Sequence, residues 1–502
     1  MAGLSNQELL GKWGSVTKER RRLLVGLVAS ALILVPLGWF WQQSLLPSTY
    51  SVMDMGYVDY GGGPRGSGHT GHSGTSVKEL VADPDRPADV KVDLVARQGR
   101  IKLASGREVD GYTLNRASPG PKITATQGQM MEVRVRNASV EDGIALHWHG
   151  IDVPNAEDGV AGVTQDAVGV GESHTYRFVA EQVGTYWYHS HQVSHEQVIG
   201  GLLAPLVVLP KKGIEQDREV LGVAHTYRGT RTLNGKEGVI REPAEPGERV
   251  QVRIVNSDNA TMPVWTSTDY RVLAIDGDDL NGPTPVTDQF LNLPAGGRAD
   301  LEVTVPSSGS VRVQVAAATA FVIGPNDLPV PARPVRPDRE LELLGYGKPE
   351  PLPFDVTKPD RRFDFVIGRR FGFLDGRPGF WWTINGHRFP DVPMFMVREG
   401  DVVLFRFENN SGEVHPMHLH GHHAVVISRD GKPLRGSPVW YDSFDVRDGE
   451  TVEIAFKADN PGVWMDHCHN LPHAAEGLVA HLMYEGVSTP YKIGGDAENE
   501  PE

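Results

Sequence analysis

Nine of the 19 histidines in this 502-residue chain fall into four short motifs. These are His147-Trp148-His149-Gly150, His189-Ser190-His191, His415-Pro416-Met417-His418-Leu419-His420 and His467-Cys468-His469. Random placement would give roughly 0.7 His-x-His pairs, yet five occur, counting His420-Gly421-His422. Residues i and i+2 of a strand point to one face, so each pair aims two imidazoles at one place. The pairs 147/149, 189/191, 418/420 and 467/469 supply eight imidazoles. A mononuclear metal site uses three or four, so eight suit a cluster of several metals. Two pairs lie early in the chain and two late, which puts the cluster where two domains meet.

Cys468 is the single cysteine, so the chain has no internal disulfide. Its thiol, between His467 and His469, points to the opposite face of the same strand. With His415 and His473 it can form a trigonal His₂Cys set, the signature of blue copper. Zinc is the alternative for any Cys/His group, but it would want a closed tetrahedral set. One strand then joins both sites covalently, which suits an electron relay and has no evident structural use.

The elements that must position these residues follow from an internal repeat. Gly128 to Asn137, Gly247 to Asn256 and Gly400 to Asn409 share one pattern. In each, Asn stands nine residues after Gly, with apolar residues three, five and seven positions after it. Each reads as a half-buried strand, and three in register argue for three related β domains. The expected fold is all-β, with three Greek-key domains of antiparallel sheets at 88–210, 211–345 and 346–487. Leu209-Pro210-Lys211-Lys212-Gly213 and the proline-dense stretch from Pro331 to Pro359 mark the boundaries. The middle domain holds one histidine, His225, and reads as a spacer. Residues 42–87, with Gly61-Gly62-Gly63-Pro64, His69 and His72, read as a flexible linker. Residues 488–502 read as a tail.

Ahead of the linker, Leu23 to Trp41 is an uncharged run preceded by Lys18 and Arg20-Arg21-Arg22. As a helix rising about 1.5 Å per residue it nearly crosses a hydrocarbon core of roughly 30 Å. The positive flank keeps residues 1–22 cytoplasmic and sends the body outside. No small-x-small cleavage site follows, so an uncleaved anchor is preferred to a cleaved signal segment; a twin-arginine export signal is a third reading. The chain is acidic overall, with 64 Asp and Glu against 49 Lys and Arg. Lacking a basic run in its body, it is a poor partner for nucleic acid. The 57 glycines and 36 prolines favour turn-rich β structure over helix bundles.

The four motifs in this order, with Asp459-Asn460-Pro461-Gly462-Val463-Trp464 before the last, resemble the multicopper oxidases, the family of laccases and metallo-oxidases. The resemblance covers residues 88–487 and implies three cupredoxin domains holding about four copper ions per chain. His415, Cys468 and His473 would hold type 1 copper, and His147 and His418 type 2. One type 3 copper would take His149, His189 and His469; the other would take His191, His420 and His467. The implied reaction is four one-electron oxidations of a reductant coupled to reduction of O₂ to water. Asp158 matches an acidic position that the family uses for proton delivery near type 2 copper; the plainer reading is a turn Asp before Gly159.

Two positions depart from the family. Leu478 occupies the axial type 1 position, ten residues after Cys468, where Met is frequent; Met483 lies too far along to match. Losing a thioether there should raise the potential. Ala474 follows His473, where some bacterial members have Glu, and Glu476 is the nearest replacement. Histidines 174, 195, 225, 387, 422, 423 and 481 read as core or surface residues, and Met394 and Met396 as core rather than as a Cu(I) subsite. A laccase-like oxidase of phenols or aromatic amines is the leading expectation, because a high potential suits poor donors. A metallo-oxidase for Cu(I), Fe(II) or Mn(II) is the alternative. A copper-binding or electron-transfer protein without turnover, or a copper nitrite reductase, would not need the full histidine set. Three domains suffice for both sites, so a monomer is enough, and larger assemblies stay open.

Overall fold

The computed structural model describes residues 6–64 and 74–502, so His69 and His72 lie outside the described residues. It divides into two units. The first joins the residues up to Pro47 with Arg370–Trp381. Its helix, Asn6–Gln43, contains the apolar stretch Arg20–Gln43, which has a mean hydropathy of 2.3, is long enough to cross a membrane and is not buried against protein. The helix end is tied to the 370–381 hairpin turn: the Trp41 indole N–H donates to the Gly376 carbonyl at 3.1 Å.

The second unit, Ser48–Arg369 with Trp382–Glu502, carries three pairs of sheets. Two four-stranded sheets lie within 90–209, a six- and a five-stranded sheet within 218–324, and a six- and a seven-stranded sheet mostly within 361–484. The sheets are mixed rather than antiparallel. Each repeat strand runs parallel to the first long strand of its region and antiparallel to a later one, as Met130–Asn137 does between Val90–Lys102 and Ser173–Val179. Other strands fall between the parallel pair in sequence, and that crossover accommodates parallel neighbours.

The repeat itself has a physical cause. Its apolar positions, Met131, Val133, Val135, Val250, Val252, Ile254, Val403, Phe405 and Phe407, are all buried. The closing Asn is buried in every copy, and its amide donates to loop carbonyls. Asn137 reaches Val140 and Val168, Asn256 reaches Ala260 and Leu293, and Asn409 reaches Glu413 and Val446, at 2.7–3.0 Å. Each Asn thus ties a loop that the sheet cannot satisfy.

The expected linker and the expected tail are both packed. Within 42–87, Tyr57–Asp59 adds a parallel edge strand to Pro393–Val397, and Val52 and Val77 are fully buried. Strands of two or three residues leave no periodicity in the sequence, which is why the segment resembles a linker there. In the tail, Ile493–Gly494 pairs with Thr49–Tyr50. The first region has a separate apolar core, while the second and third share one. The polar seam between those cores is where the histidines gather.

Candidate metal centres

Two donor sets occupy opposite faces of one strand pair. Where His415–Leu419 pairs with Val463–Cys468, Met417 lies opposite Cys468 and His418 opposite His467. Alternation therefore puts His415 with Cys468 on one face, and His418 and His420 with His467 on the other. His473 joins the first set from the short helix Leu471–Ala475. Cys468 Sγ lies 3.6 Å from His415 Nδ1 and 3.8 Å from His473 Nδ1, and the two nitrogens are 3.2 Å apart. Three donors in a trigonal plane around one ion, each about 2.0–2.3 Å from it, would be separated by about 3.5–3.8 Å. The two Sγ–N separations match one ion, and the two nitrogens lie slightly closer than that ideal. The Trp382 ring packs 4.7 Å from His415 and 4.5 Å from His473, with Arg369 stacked over its face. Leu478 is fully buried, and its carbonyl accepts the Cys468 amide at 3.1 Å.

The second set gathers all eight imidazoles of the four pairs. His147 lies opposite His189 on neighbouring strands of the first region. His147 Nε2 and His418 Nε2 are 3.4 Å apart, His149 Nδ1 and His189 Nε2 3.4 Å, and His420 Nε2 and His467 Nε2 3.2 Å. His191 completes a close trio with His420 and His467. His469 belongs to no such trio, though its ring centre lies 4.8 Å from that of His149 and both its nitrogens are buried without partners.

The outward nitrogens decide what the inward ones can do. His147 Nδ1 faces the Asp158 carbonyl at 2.9 Å, His418 Nδ1 the Asp442 carbonyl at 2.9 Å, and His189 Nδ1 the Ser190 carbonyl at 3.0 Å. His149 Nε2 faces an Asp442 carboxylate oxygen at 3.1 Å, and His420 Nδ1 the Asp158 carboxylate at 3.1 Å. A carbonyl or carboxylate oxygen can only accept, so each outward nitrogen carries the ring proton. In the His147–His418 and His149–His189 pairs the inward nitrogens then hold lone pairs aimed at one another across 3.4 Å. No hydrogen bond can relieve those pairs; a cation between them can. His191 Nε2, buried and unpartnered, is in the same condition.

Electrostatics agree. Burial, reinforced by neighbouring imidazoles, holds His149, His189, His420 and His469 well below the usual histidine range and His467 at about 3. Burial also lowers His415 to about 3, and lowers His418 to about 4 against the pull of Asp442. Rings kept neutral are rings ready to ligate. Burial pushes the Cys468 thiol up, so a bound cation must draw off its proton.

Several residues around the second set carried no sequence signal. Burial pushes Asp442 up, but the Arg298 guanidinium, followed by hydrogen bonds from His149, His418 and His423, holds it well below the carboxylate range. Arg298 Nη1 sits 2.6 Å from Asp442 Oδ1. Asp276 accepts the Asp442 and Ser443 amides at 3.2 and 3.1 Å. Asp276 and Arg298 belong to the middle region, which therefore braces the centre rather than merely spacing the others. Gly150, last in the first motif, has φ +85°, and a Cβ there would fall 2.0 Å from Arg298 Nη2. Asp158 is buried between His147 and His420 and serves both. Glu476 instead accepts the Trp382 indole N–H at 2.9 Å. His422 is hydrogen-bonded in the core to Tyr484, and Met394 and Met396 are core residues. Among the described residues, His174, His195, His225, His387 and His481 join no donor trio.

Residues 96–213 and 351–486 each match the family described as multicopper oxidase. The chain belongs to the multicopper oxidase family. Multicopper oxidase MmcO of Mycobacterium tuberculosis is 28% identical over 503 residues, spanning 84% of this chain and 92% of that protein. Laccase-3 of Thanatephorus cucumeris is 27% identical, spanning 78% of this chain and 90% of that protein. A solved multicopper oxidase from Pseudomonas thermotolerans matches with a TM-score of 0.66 at 26% identity, covering 79% of this chain and all of that one. The fold is therefore cupredoxin-like, the chain is an oxidoreductase that uses O₂ and a reductant, and its implied cofactor is copper. The inward lone pairs and the thiol-plus-two-imidazole set are donors that copper takes.

Proposed function

We propose that this multicopper oxidase is laccase-like, oxidising a phenol or aromatic amine one electron at a time and reducing O₂ to water. The carrying observation is Cys468 between His467 and His469, on a strand with a rim-side donor set on one face and a sealed imidazole set on the other. His415, Cys468 and His473 would hold type 1 copper, and His147 and His418 type 2. His149, His189 and His469 would hold one type 3 copper and His191, His420 and His467 the other, four ions in all. Bound copper supplies one-electron acceptance at the first set and multi-electron delivery to O₂ at the second.

This chain's residues do the remaining work. His473, 9% exposed, offers an edge to a reductant that stays outside. The Cys468 backbone gives a covalent path from that set to the flanking imidazoles. Burial of the second set keeps bulk water out. Asp158, shared by His147 and His420, is the group that would hold and hand on a proton beside type 2 copper. Leu478, buried beside Cys468, would offer bound copper no thioether, which favours a high potential and weak organic donors. The N-terminal helix anchors a single chain with its body outside the cytoplasm.

A metal-ion reductant is the second reading. Glu413 favours it, with Oε2 3.4 Å from His473 Nε2. Arg369, however, pairs with the other Glu413 oxygen at 2.9 Å. Among the described residues, every close trio of ligand atoms belongs to the two centres above. The test is oxygen uptake by the copper-loaded full chain, offered a substituted phenol and then Cu(I) or Fe(II). Uptake with the phenol, abolished by Cys468→Ser, is expected. Uptake with a metal ion alone would replace the organic reductant, and none with either would leave a copper carrier.

A further inference from the structure

Residues 493–502, within the expected tail 488–502, reach into the second centre. Gln192 donates to the Glu498 carbonyl at 2.8 Å and accepts the Glu500 amide at 2.8 Å. Asn499 accepts the Ala167 amide at 2.8 Å and donates to Asp166 at 2.9 Å. The Val193 amide donates to the Glu500 carbonyl at 2.6 Å, and Val193 has φ +45°, a conformation that a β-branched residue rarely adopts. Strain of that kind persists only where the surroundings impose it, and it falls two residues after His191.

The segment meets two of the three imidazoles in one trio. His191 Nδ1 donates to the Pro501 carbonyl at 3.0 Å. His467 Nδ1 lies 3.0 Å from Glu502 Oε1 as a close ion-pair contact, and neither atom makes a hydrogen bond. Ser194 Oγ donates to the other Glu502 oxygen at 2.6 Å, which fixes the carboxylate in place. Both Pro501 and Glu502 are buried. Ala474, next to His473 on the helix Leu471–Ala475, offers no carboxylate. Among the described residues, the carboxylates that pair with this trio are Asp158, at His420, and Glu502.

We propose that residues 498–502 are a working part of this centre, with Glu502 as a positioning residue. Pro501 and Glu502 hold the ring protons of His191 and His467 on Nδ1, so both rings present Nε2 beside His420. The segment also closes that side of the centre against solvent. This rests on the reading of His191, His420 and His467 as a type 3 copper site. Outer partners of this kind change metal affinity by about 10- to 100-fold when lost.

The test uses the full chain loaded with copper, as parent, Glu502→Ala, Glu502→Gln and a deletion of 498–502. The readouts are copper released to a chelator, the near-ultraviolet absorption of the paired coppers, and the visible thiolate band as an internal control. Glu502→Ala and the deletion should release copper from the paired site about 10- to 100-fold faster. Both should lose the near-ultraviolet absorption and keep the visible band. Glu502→Gln retains an acceptor oxygen and should restore most of the signal. Parent-like release and absorption in Glu502→Ala and the deletion would overturn the proposal. So would loss of both bands together, which marks a general requirement for folding. A parent chain that never acquires the paired-copper absorption would instead fail the functional reading itself.

Discussion

The Cys468 set draws three donors from one region and leaves His473 at the rim, while the imidazole set draws eight from two regions and leaves none more than 2% exposed. Their supports differ in the same way. His415 Nε2 meets Ser411 Oγ at 2.8 Å, and His473 Nε2 meets Asn470 at 3.0 Å, both within the same region. The imidazole set leans on Asp158, Asp442, Pro501 and Glu502, and through Asp442 on Arg298 and Asp276 of the middle region. A centre braced from all three regions should respond to distant substitutions. One braced by its own sheet should not.

Arg298→Leu is the strongest way to break that contrast. It leaves Asp442 charged, buried and without its guanidinium, a loss worth about 3–5 kcal/mol. We expect a lower melting temperature and loss of copper from the imidazole set, with the visible thiolate band kept in the folded fraction. Equal loss at both centres would mean that they are one cooperative structure. Gly150→Ala is a milder version. Its Cβ meets the same guanidinium at 2.0 Å and Asp442 Oδ2 at 2.6 Å, and the left-handed backbone adds strain of roughly 1–3 kcal/mol. Copper counts and thermal melts should follow Arg298→Leu in direction and fall short of it in size.

The contrast also explains what could be read in advance. His-x-His spacing needs only the period of a strand, so the inward imidazoles and the two faces around Cys468 were legible. The repeat was legible because Gly, three apolar residues and Asn mark one strand in three places. Arg298, Asp276 and Asp442 were not, because each is an ordinary charged residue whose partner lies 22 to 166 positions away. Glu502 was not, because its role depends on where residues 493–502 dock. The short strands Thr49–Tyr50 and Tyr57–Asp59 are hidden for a different reason: two- and three-residue strands carry too few side chains to show a period.

Leu478→Met sharpens the comparison from the other side. A thioether near Cys468 stabilises the oxidised ion, so the type 1 potential should fall, as redox titration of the visible band would record. Copper retention in the imidazole set should not change. A potential that stays put or rises would remove the argument that Leu478 suits this oxidase to weak donors.

Glu157→Gln carries the smallest expected effect on copper, which only the imidazole set should feel. Glu157 closes the short turn Asn155–Glu157 immediately before Asp158, and its carboxylate accepts the Arg177 amide at 2.9 Å. Burial raises it to about 7, despite that hydrogen bond and the Arg177 charge. In the unfolded chain it ionises near 4.5. Between these values the folded chain keeps a proton that the unfolded chain has lost, so stability falls as pH rises through the window and levels off above it. The Gln variant should match its parent below about pH 4.5 and exceed it by about 1–3 kcal/mol above pH 7. Melting temperatures of the two copper-loaded chains across that range would check it; parallel curves would put the ionisation elsewhere. Since Asp158 holds His147 and His420, the same pH rise should loosen copper in the imidazole set of the parent alone, while the thiolate band stays constant in both.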